Sequence, residues 1–423
     1  MRFLPRIFRA AIKAGRLEMA GPGGYSEVFG HGGPGPDVAI KITDPALDWQ
    51  IFLNPELKAA EAYMNGGLQI ERGTIHEFIA LFFHNKRHFD LTPSQIFWRG
   101  LARKTRRAMQ HNPIARARKN VAHHYDLGNA FYAKWLDTDL QYSCGYWESG
   151  VETLEAAQTA KKRHIAGKLA LAPGHRVLDI GCGWGGMALY LAAVAEVEVV
   201  GVTLAEEQLA VARRRAEILG LSDSVAFRLQ DYRHVTESFD RVVSVGMLEH
   251  VGVGHLTEYF LNVRDRLAPE GVALVHAISS KAPPGVTGPF LRKYIFPGGY
   301  SPSLSETFEA IEKSGLWTLD CEIWRVHYAR TLAEWRRRFE VVRADVIEMY
   351  DERFVRMWEI YLSSCECVFS HGASHVFQIQ LGRERDAVPL TRDYIGPAKD
   401  DLAAREAEWL PRLAASTAEA LTG

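Results

Sequence analysis

A short apolar run that ends in glycines carries the sharpest chemical signal in the chain: Val177-Leu-Asp179-Ile-Gly181-Cys-Gly183-Trp-Gly185-Gly186. Glycines at this spacing let the backbone turn tightly after a strand and let a ligand approach the start of the following helix. Gly181, Gly183 and Gly186 alone also satisfy the dinucleotide fingerprint GxGxxG. Two features separate the readings. Asp179 stands two residues before the first glycine, where it would orient an ammonium group or a turn amide and would sit poorly beside a pyrophosphate. The dinucleotide motif also wants an acid at the end of its second strand for the ribose. Here that strand ends Gly201-Val-Thr203-Leu204.

Asp231, in Gln230-Asp231-Tyr232, follows the third strand, where a nucleoside methyl donor offers its adenine amino group. Leu267-Ala-Pro-Glu-Gly271 precedes the fifth strand and has the shape of the turn that methyltransferases place there. These features favour S-adenosylmethionine over NAD. A turn that serves packing only is the remaining alternative. The His residues show no HExxH or similar spacing, so no metal is expected.

The elements that must hold these residues are regular from Arg176 onward. The pattern predicts strands at 177–180, 198–203, 225–229, 240–245 and 271–278, with helices at 186–195 and 205–219. Such alternation means a doubly wound, mainly parallel sheet. Further strands are expected at 318–326 and 376–381, with a helical region at 331–368 between them and a charged helical tail at 397–423. Ahead of this lie a Gly/Pro-rich stretch at 21–36 that reads as consecutive turns, a strand at 38–42, and helices at 55–65 and 75–88.

Composition narrows the classes. Of 423 residues, 47% are apolar and 24% charged, which is globular and excludes a disordered chain. The net charge of −1 argues against wholesale nucleic-acid binding. Neither a membrane span nor a secretory signal is expected. Five cysteines without a CxxC pair fit a reducing compartment. The charge is nonetheless uneven. No acid falls between Asp90 and Asp126, a stretch that carries Arg99, Arg103, Lys104, Arg106, Arg107, Arg116, Arg118 and Lys119. Arg2, Arg6, Arg9, Lys13 and Arg16 are spaced 4, 3, 4, 3, which would align them on one helical face opposite Phe3, Leu4, Ile7 and Phe8. That reads as a membrane-surface helix, or as a helix docked on its own domain.

Longer motifs carry a family resemblance. His124-Tyr-Asp-Leu-Gly-Asn129, Gln141-Tyr-Ser-Cys144-Gly-Tyr-Trp147, the Asp179–Gly186 turn, Gly246-Met-Leu-Glu249-His250-Val, Leu274-Val-His276-Ala-Ile278, Lys293-Tyr-Ile-Phe-Pro-Gly-Gly299 and His327-Tyr328-Ala-Arg-Thr-Leu resemble the bacterial cyclopropane-fatty-acyl-phospholipid synthases. The mycolic acid cyclopropane synthases are similar at a greater distance. The resemblance covers roughly 120–382, with a weaker match at Glu61-Ala-Tyr-Met-Asn-Gly66.

It implies an α/β fold with a Rossmann-like methyltransferase sheet, mainly parallel with one antiparallel strand, and a smaller N-terminal α+β domain. The corresponding division is a lipid-docking domain at 1–104, a basic linker at 105–120, a catalytic domain at 121–385 and a helical tail at 386–423. The implied chemistry transfers a methylene from S-adenosylmethionine to the cis double bond of a phospholipid acyl chain, through a carbocation, with bicarbonate as the base. The implied holders of that ion are Cys144, Glu249, His276, the Ile278 backbone and Tyr328, while the rings of Tyr146, Trp147 and Tyr328 would face the cation. Cys365 matches another family position, although a buried structural thiol is the simpler reading. For the donor the resemblance gives Tyr142, Ser143, Gly181 and Gly183, then Thr203, Leu204 and Gln208, then Gln230, Asp231 and Tyr232, with Asp179 at the turn. It also implies a cytoplasmic protein held peripherally at an anionic inner membrane face, and a homodimer. A lipid olefin methyltransferase that leaves a methyl or methylene branch is the near alternative. A soluble-substrate methyltransferase and a non-catalytic binding protein are the distant ones.

Overall fold

A computed structural model describes residues 1–30, 32–88 and 127–422. The basic run at 99–119, the linker at 105–120 and His124 lie outside the described residues. Contacts divide the rest into two compact units, each with its own core.

The smaller unit holds the described residues before 89 together with Val286–Pro297 and Leu332–Ala373. Its sheet consists of β1 (Arg16–Gly21), β2 (Tyr25–Phe29), β3 (Asp37–Ile42) and β4 (Leu68–Arg72), in the order β2-β1-β3-β4. β1 pairs antiparallel with β2 and parallel with β3. β2 was not expected. The stretch predicted as consecutive turns keeps the Pro22–Gly24 turn and bends at 30, 32, 34 and 35, but between them Tyr25, Glu27 and Phe29 alternate against β1. The predicted basic stripe also fails. The first helix is Leu4–Ala11 and buries Leu4, Phe8 and Ala11 in its own unit. It stops because Asn85 Oδ1 accepts the Lys13 and Ala14 amides at 2.7 and 2.9 Å and so draws the backbone out of the helix. Arg16 therefore opens β1, where it pairs with Glu18 and Asp37, and Arg9 pairs with Glu27. The helix is one docked on its own domain. Helix Glu352–His371 packs along helices Pro55–Met64 and Ile75–His84, and the Tyr63 hydroxyl donates to Glu359 at 2.7 Å. The stretch 121–385, continuous in the sequence expectation, thus contributes two segments to this unit.

The larger unit contains a sheet of β5 (Arg176–Ile180), β6 (Glu198–Thr203), β7 (Val225–Leu229), β8 (Phe239–Val245), β9 (Leu267–Ser280), β10 (Trp317–Trp324) and β11 (Ser374–Gly382). Their order is β10-β11-β9-β8-β5-β6-β7. β5 through β9 are parallel, and β11 runs antiparallel between β9 and β10. Helices cover the sheet, so the central strands are apolar on both faces and read as near-continuous hydrophobic runs. The C-terminal helix Ile395–Thr422 is part of this core. It places Leu402 and Leu413 among the residues of helices Gly186–Ala195 and Glu206–Leu219. Its Glu406 accepts from Arg163 at 2.7 Å and from the Tyr190 hydroxyl at 2.6 Å.

Candidate active site

The glycine turn closes β5 at the C-terminal end of the parallel strands, where doubly wound sheets bind ligands. Gly181, Gly183 and Gly185 all take the left-handed conformation, with φ of +86°, +53° and +82°, which a side chain at any of them would strain. The turn is pinned to β6 by the Gly181 and Cys182 amides, which donate to Val202 O at 2.9 and 3.1 Å. Gly186 is needed for a different reason. A Cβ there would lie 2.5 Å from Asp139 Oδ2 and closer still to the Gln141 amide, so the 139–141 segment rests directly on the helix start.

One cavity opens over this turn. Every residue that the resemblance assigned to the donor lines it: Tyr142 and Ser143 on one wall, Asp179, Gly181 and Gly183 at the turn, Thr203, Leu204 and Gln208 after β6, and Gln230, Asp231 and Tyr232 after β7. The carboxylates differ in state. Burial drives Asp179 up to about 7, and its Oδ2 has no hydrogen-bond partner. Burial also opposes charge on Asp231, yet hydrogen bonds from the Arg233 guanidinium at 2.8 and 2.7 Å outweigh it and hold the carboxyl below its usual range. Arg233, Trp184, Met247 and His250 line the same cavity, although none of them was assigned to the donor from the sequence. Trp184 could have been. Its Nε1 donates to Asn129 Oδ1 at 2.7 Å, which ties the glycine turn to the end of the His124–Asn129 motif.

The set assigned to the base lies in the same unit, on β9, just after β8 and on neighbouring segments. His276 and Ile278 share one face of β9. The Ile278 amide donates to Glu249 Oε1 at 2.6 Å, while Glu249 Oε2 is buried without a partner. Burial raises Glu249 to about 7 and drives His276 well below its usual value. His276 is therefore a neutral imidazole. Its Nδ1 accepts from the Gln378 amide at 3.2 Å, which puts its proton on Nε2. Burial pushes the Cys144 thiol up, so it stays protonated. Tyr328 is buried at the start of helix His327–Val341. Two rings expected to face a cation are engaged with the protein's own groups. Tyr146 stacks on His164, Trp324 and His327, and the Arg330 guanidinium lies 4.4 Å over Trp147. Cys365 sits on helix Glu352–His371 of the smaller unit, where burial pushes its thiol up to about 12. It is no nucleophile at neutral pH.

Beneath the cavity wall runs a buried ionic network that the sequence reading missed. Helix Leu154–Lys168 turns Lys161 and Lys162 inward, fully out of solvent. Lys162 and Arg215 both bind Asp139. Lys161 donates to Gln141 Oε1 at 2.6 Å and to Ser143 Oγ at 2.8 Å. Burial alone would raise Asp139, but the Lys162 and Arg215 charges prevail and keep it ionised.

A doubly wound sheet, a glycine turn after its first strand and an aminoacid-lined cavity over that turn define a Rossmann-like, S-adenosylmethionine-dependent methyltransferase. Residues 113–379 match the mycolic acid cyclopropane synthetase family, and the chain belongs to that family. It is 35% identical over 362 residues to a probable fatty acid methyltransferase of Pseudomonas putida, a match covering 82% of this chain and 87% of that protein. It is 43% identical over 260 residues to the cyclopropane-fatty-acyl-phospholipid synthase of Escherichia coli strain K12, covering 62% of this chain and 66% of the relative. A solved cyclopropane synthase of Mycobacterium tuberculosis superposes with a TM-score of 0.60 at 32% identity, covering 64% of this chain and 98% of that one. A solved mycolic acid cyclopropane synthase in complex with SAH and CTAB superposes with a TM-score of 0.59 at 29% identity, covering 64% and 99%.

Proposed function

We propose that this chain transfers a methylene group from S-adenosylmethionine to the cis double bond of an unsaturated phospholipid acyl chain and closes a cyclopropane ring. The observation that carries ring closure is Glu249, half-buried just after β8, with one oxygen held by the Ile278 amide and the other buried without a partner. Bound S-adenosylmethionine supplies an electrophilic methyl on a sulfonium sulfur. The double bond would take that methyl while the sulfur keeps the electron pair of the broken S–C bond and leaves as the neutral thioether, S-adenosylhomocysteine; a cation remains on the acyl chain, and loss of one proton from the new methyl to the base closes the ring. Bicarbonate, when bound, would supply the base for that proton.

The residues suit such an ion. His276 Nε2–H is a neutral donor and the unpartnered Glu249 Oε2 is an acceptor for a hydroxyl, while the Cys144 thiol already donates to the Gly145 carbonyl at 3.3 Å. Ile278 acts through Glu249, because its amide already holds that carboxylate. Glu249 Oε2 faces a hydroxyl as a full acceptor when ionised and becomes a donor once protonated. Its value of about 7 then predicts that turnover falls as the pH drops below 7. Asp179 would meet the cationic part of the donor with its free oxygen.

Among the described residues no helix is long and apolar enough to cross a membrane. We propose that the chain visits an anionic membrane surface peripherally, at the cytoplasmic face and as a homodimer, with the N-terminal domain and the basic run at 99–119, not a stripe on the first helix, as its docking part. Vesicles of cis-monounsaturated phospholipid with methyl-deuterated S-adenosylmethionine test the reaction. Loss of one deuterium with a cyclopropane product is expected. Retention of all three, or a methylene branch, would replace ring closure by the branching reaction.

A further inference from the structure

The segment that carries Gln141, Tyr142 and Ser143 has no regular hydrogen-bonded structure of its own. Its backbone and side chains are instead held by one helix. Gln158 Nε2 donates to the carbonyls of Gln141 and Ser143 at 3.2 and 2.9 Å. One turn on, the fully buried Lys161 donates to the side chains of the same two residues, at 2.6 and 2.8 Å. Gln141 is thereby used up. Its Oε1 accepts from Lys161 and its Nε2 donates to Asp139 at 3.0 Å. Ser143 is not. Burial lowers Lys161 to about 7 against the pull of Asp137 and Asp139, and in its ammonium form it can only donate, so the Ser143 oxygen then accepts from it and the one hydroxyl proton is left to go elsewhere. Ser143 lines the cavity.

We propose that Lys161 is a positioning residue that fixes Ser143 as a hydrogen-bond donor toward the carboxylate of the bound methyl donor. The inference rests on the S-adenosylmethionine reading above. The assignment to the carboxylate follows from the groups available. Gln230–Tyr232 are assigned to adenine and Thr203, Leu204 and Gln208 to the ribose and carboxylate; Ser143 lines the same cavity, and its hydroxyl would add a donor at the amino-acid end. In that part the ammonium and sulfonium cannot accept a hydrogen bond, and only the carboxylate can. Lys161 takes one lone pair of the Ser143 oxygen and repels a second cation there, so the hydroxyl proton is left to meet an acceptor. Lys161 touches no ligand and acts only through Ser143 and Gln141.

The test is calorimetric titration of the full chain with two probes. S-adenosylhomocysteine carries the carboxylate, and 5′-methylthioadenosine lacks the whole amino-acid end. In Lys161→Met, of nearly the same length, affinity for S-adenosylhomocysteine should fall about tenfold, the scale of one hydrogen bond to a charged group, while that for 5′-methylthioadenosine should change less than about twofold. Ser143→Ala should show the same selective loss, and the double variant should lose no more than either single one. Equal weakening of both probes would overturn the proposal in favour of general damage to the wall. Unchanged affinity for S-adenosylhomocysteine would overturn it as well. Should Lys161→Met not fold, Ser143→Ala decides, because it leaves every charge of the network in place. Its selective loss supports the proposal and its indifference refutes it. No binding of S-adenosylhomocysteine by the unaltered protein would instead remove the donor reading itself.

Discussion

Two groups of buried carboxylates lie within one unit and end in opposite states. Asp139 is in contact with Lys162 and Arg215 and stays ionised although it is out of solvent. Asp179 is buried and Glu249 half-buried; each keeps one buried oxygen without a partner and rises to about 7. Burial costs each of them several kcal/mol when charged. In the network the protein supplies the compensation. In the cavity and at the end of β8 the compensation is missing from the chain itself. That contrast is what the proposed donor and base sites require, because an unsatisfied buried acid gains most from a ligand.

The sharpest break of this contrast is at Glu249. Glu249→Gln keeps the shape and the bond from Ile278 but loses the acceptor that holds the base, and turnover should fall by roughly a thousandfold. Affinity for S-adenosylhomocysteine, measured by titration, should stay within a factor of about two. A variant that turns over as fast as the parent removes Glu249 from the chemistry. Next in size is Asp139→Asn, which leaves Lys162 and Arg215 buried without their anion and should cost about 3 kcal/mol in urea unfolding. A loss below about 1 kcal/mol would mean that water reaches the network.

Asp179→Asn should act in the opposite sense on stability. The folded value of Asp179 lies above the unfolded one, so protonation favours the folded chain. Its contribution is present below about 4 and is lost as the pH rises through about 7. The shift from 3.8 to about 7 amounts to roughly 4 kcal/mol by pH 8. An amide buried without a partner still costs about 2 kcal/mol. The ligand-free variant should therefore be about 2 kcal/mol more stable than the parent at pH 8 and no more stable at pH 4. It should also bind S-adenosylmethionine more weakly. A variant destabilised at pH 8 would show that Asp179 already has its partner within the protein.

Legibility follows the same division. The cavity was readable because its parts are local. An apolar strand, alternating glycines and an acid two residues before them fall within ten positions, and the parallel strands announce themselves as buried on both faces. The network was not readable. Lys161, Lys162 and Arg163 form a charge run that looks like a solvated helix face, and the anion that draws Lys162 inward lies 23 residues upstream in a segment without periodicity. The first helix failed for a similar reason. Its periodic bases run on to Arg16, but the side chain that ends it is Asn85, 72 residues from Lys13. β2 was hidden by the glycines and prolines on both sides of it, although its own five residues alternate as a strand should. Local pattern finds elements and turns; it cannot see which distant polar group will cap, pair or bury them.

The smallest effect tests the contrast from the surface. Arg9 holds Glu27 with two hydrogen bonds at 2.9 and 2.6 Å, as good a geometry as any pair in the network. The Arg9 side chain is 61% exposed, however, where that of Arg215 is fully buried. Water can replace either partner of the surface pair, and removing one leaves no stranded charge. Arg9→Ala should therefore change unfolding stability by less than about 0.5 kcal/mol, and the change should shrink further in molar salt. The Asp139→Asn loss should persist in the same salt, because ions do not reach a buried pair. If Arg9→Ala costs as much as Asp139→Asn, then bond geometry and not burial sets the energy of these pairs, and the argument that Asp179 and Glu249 are held for a ligand loses its footing.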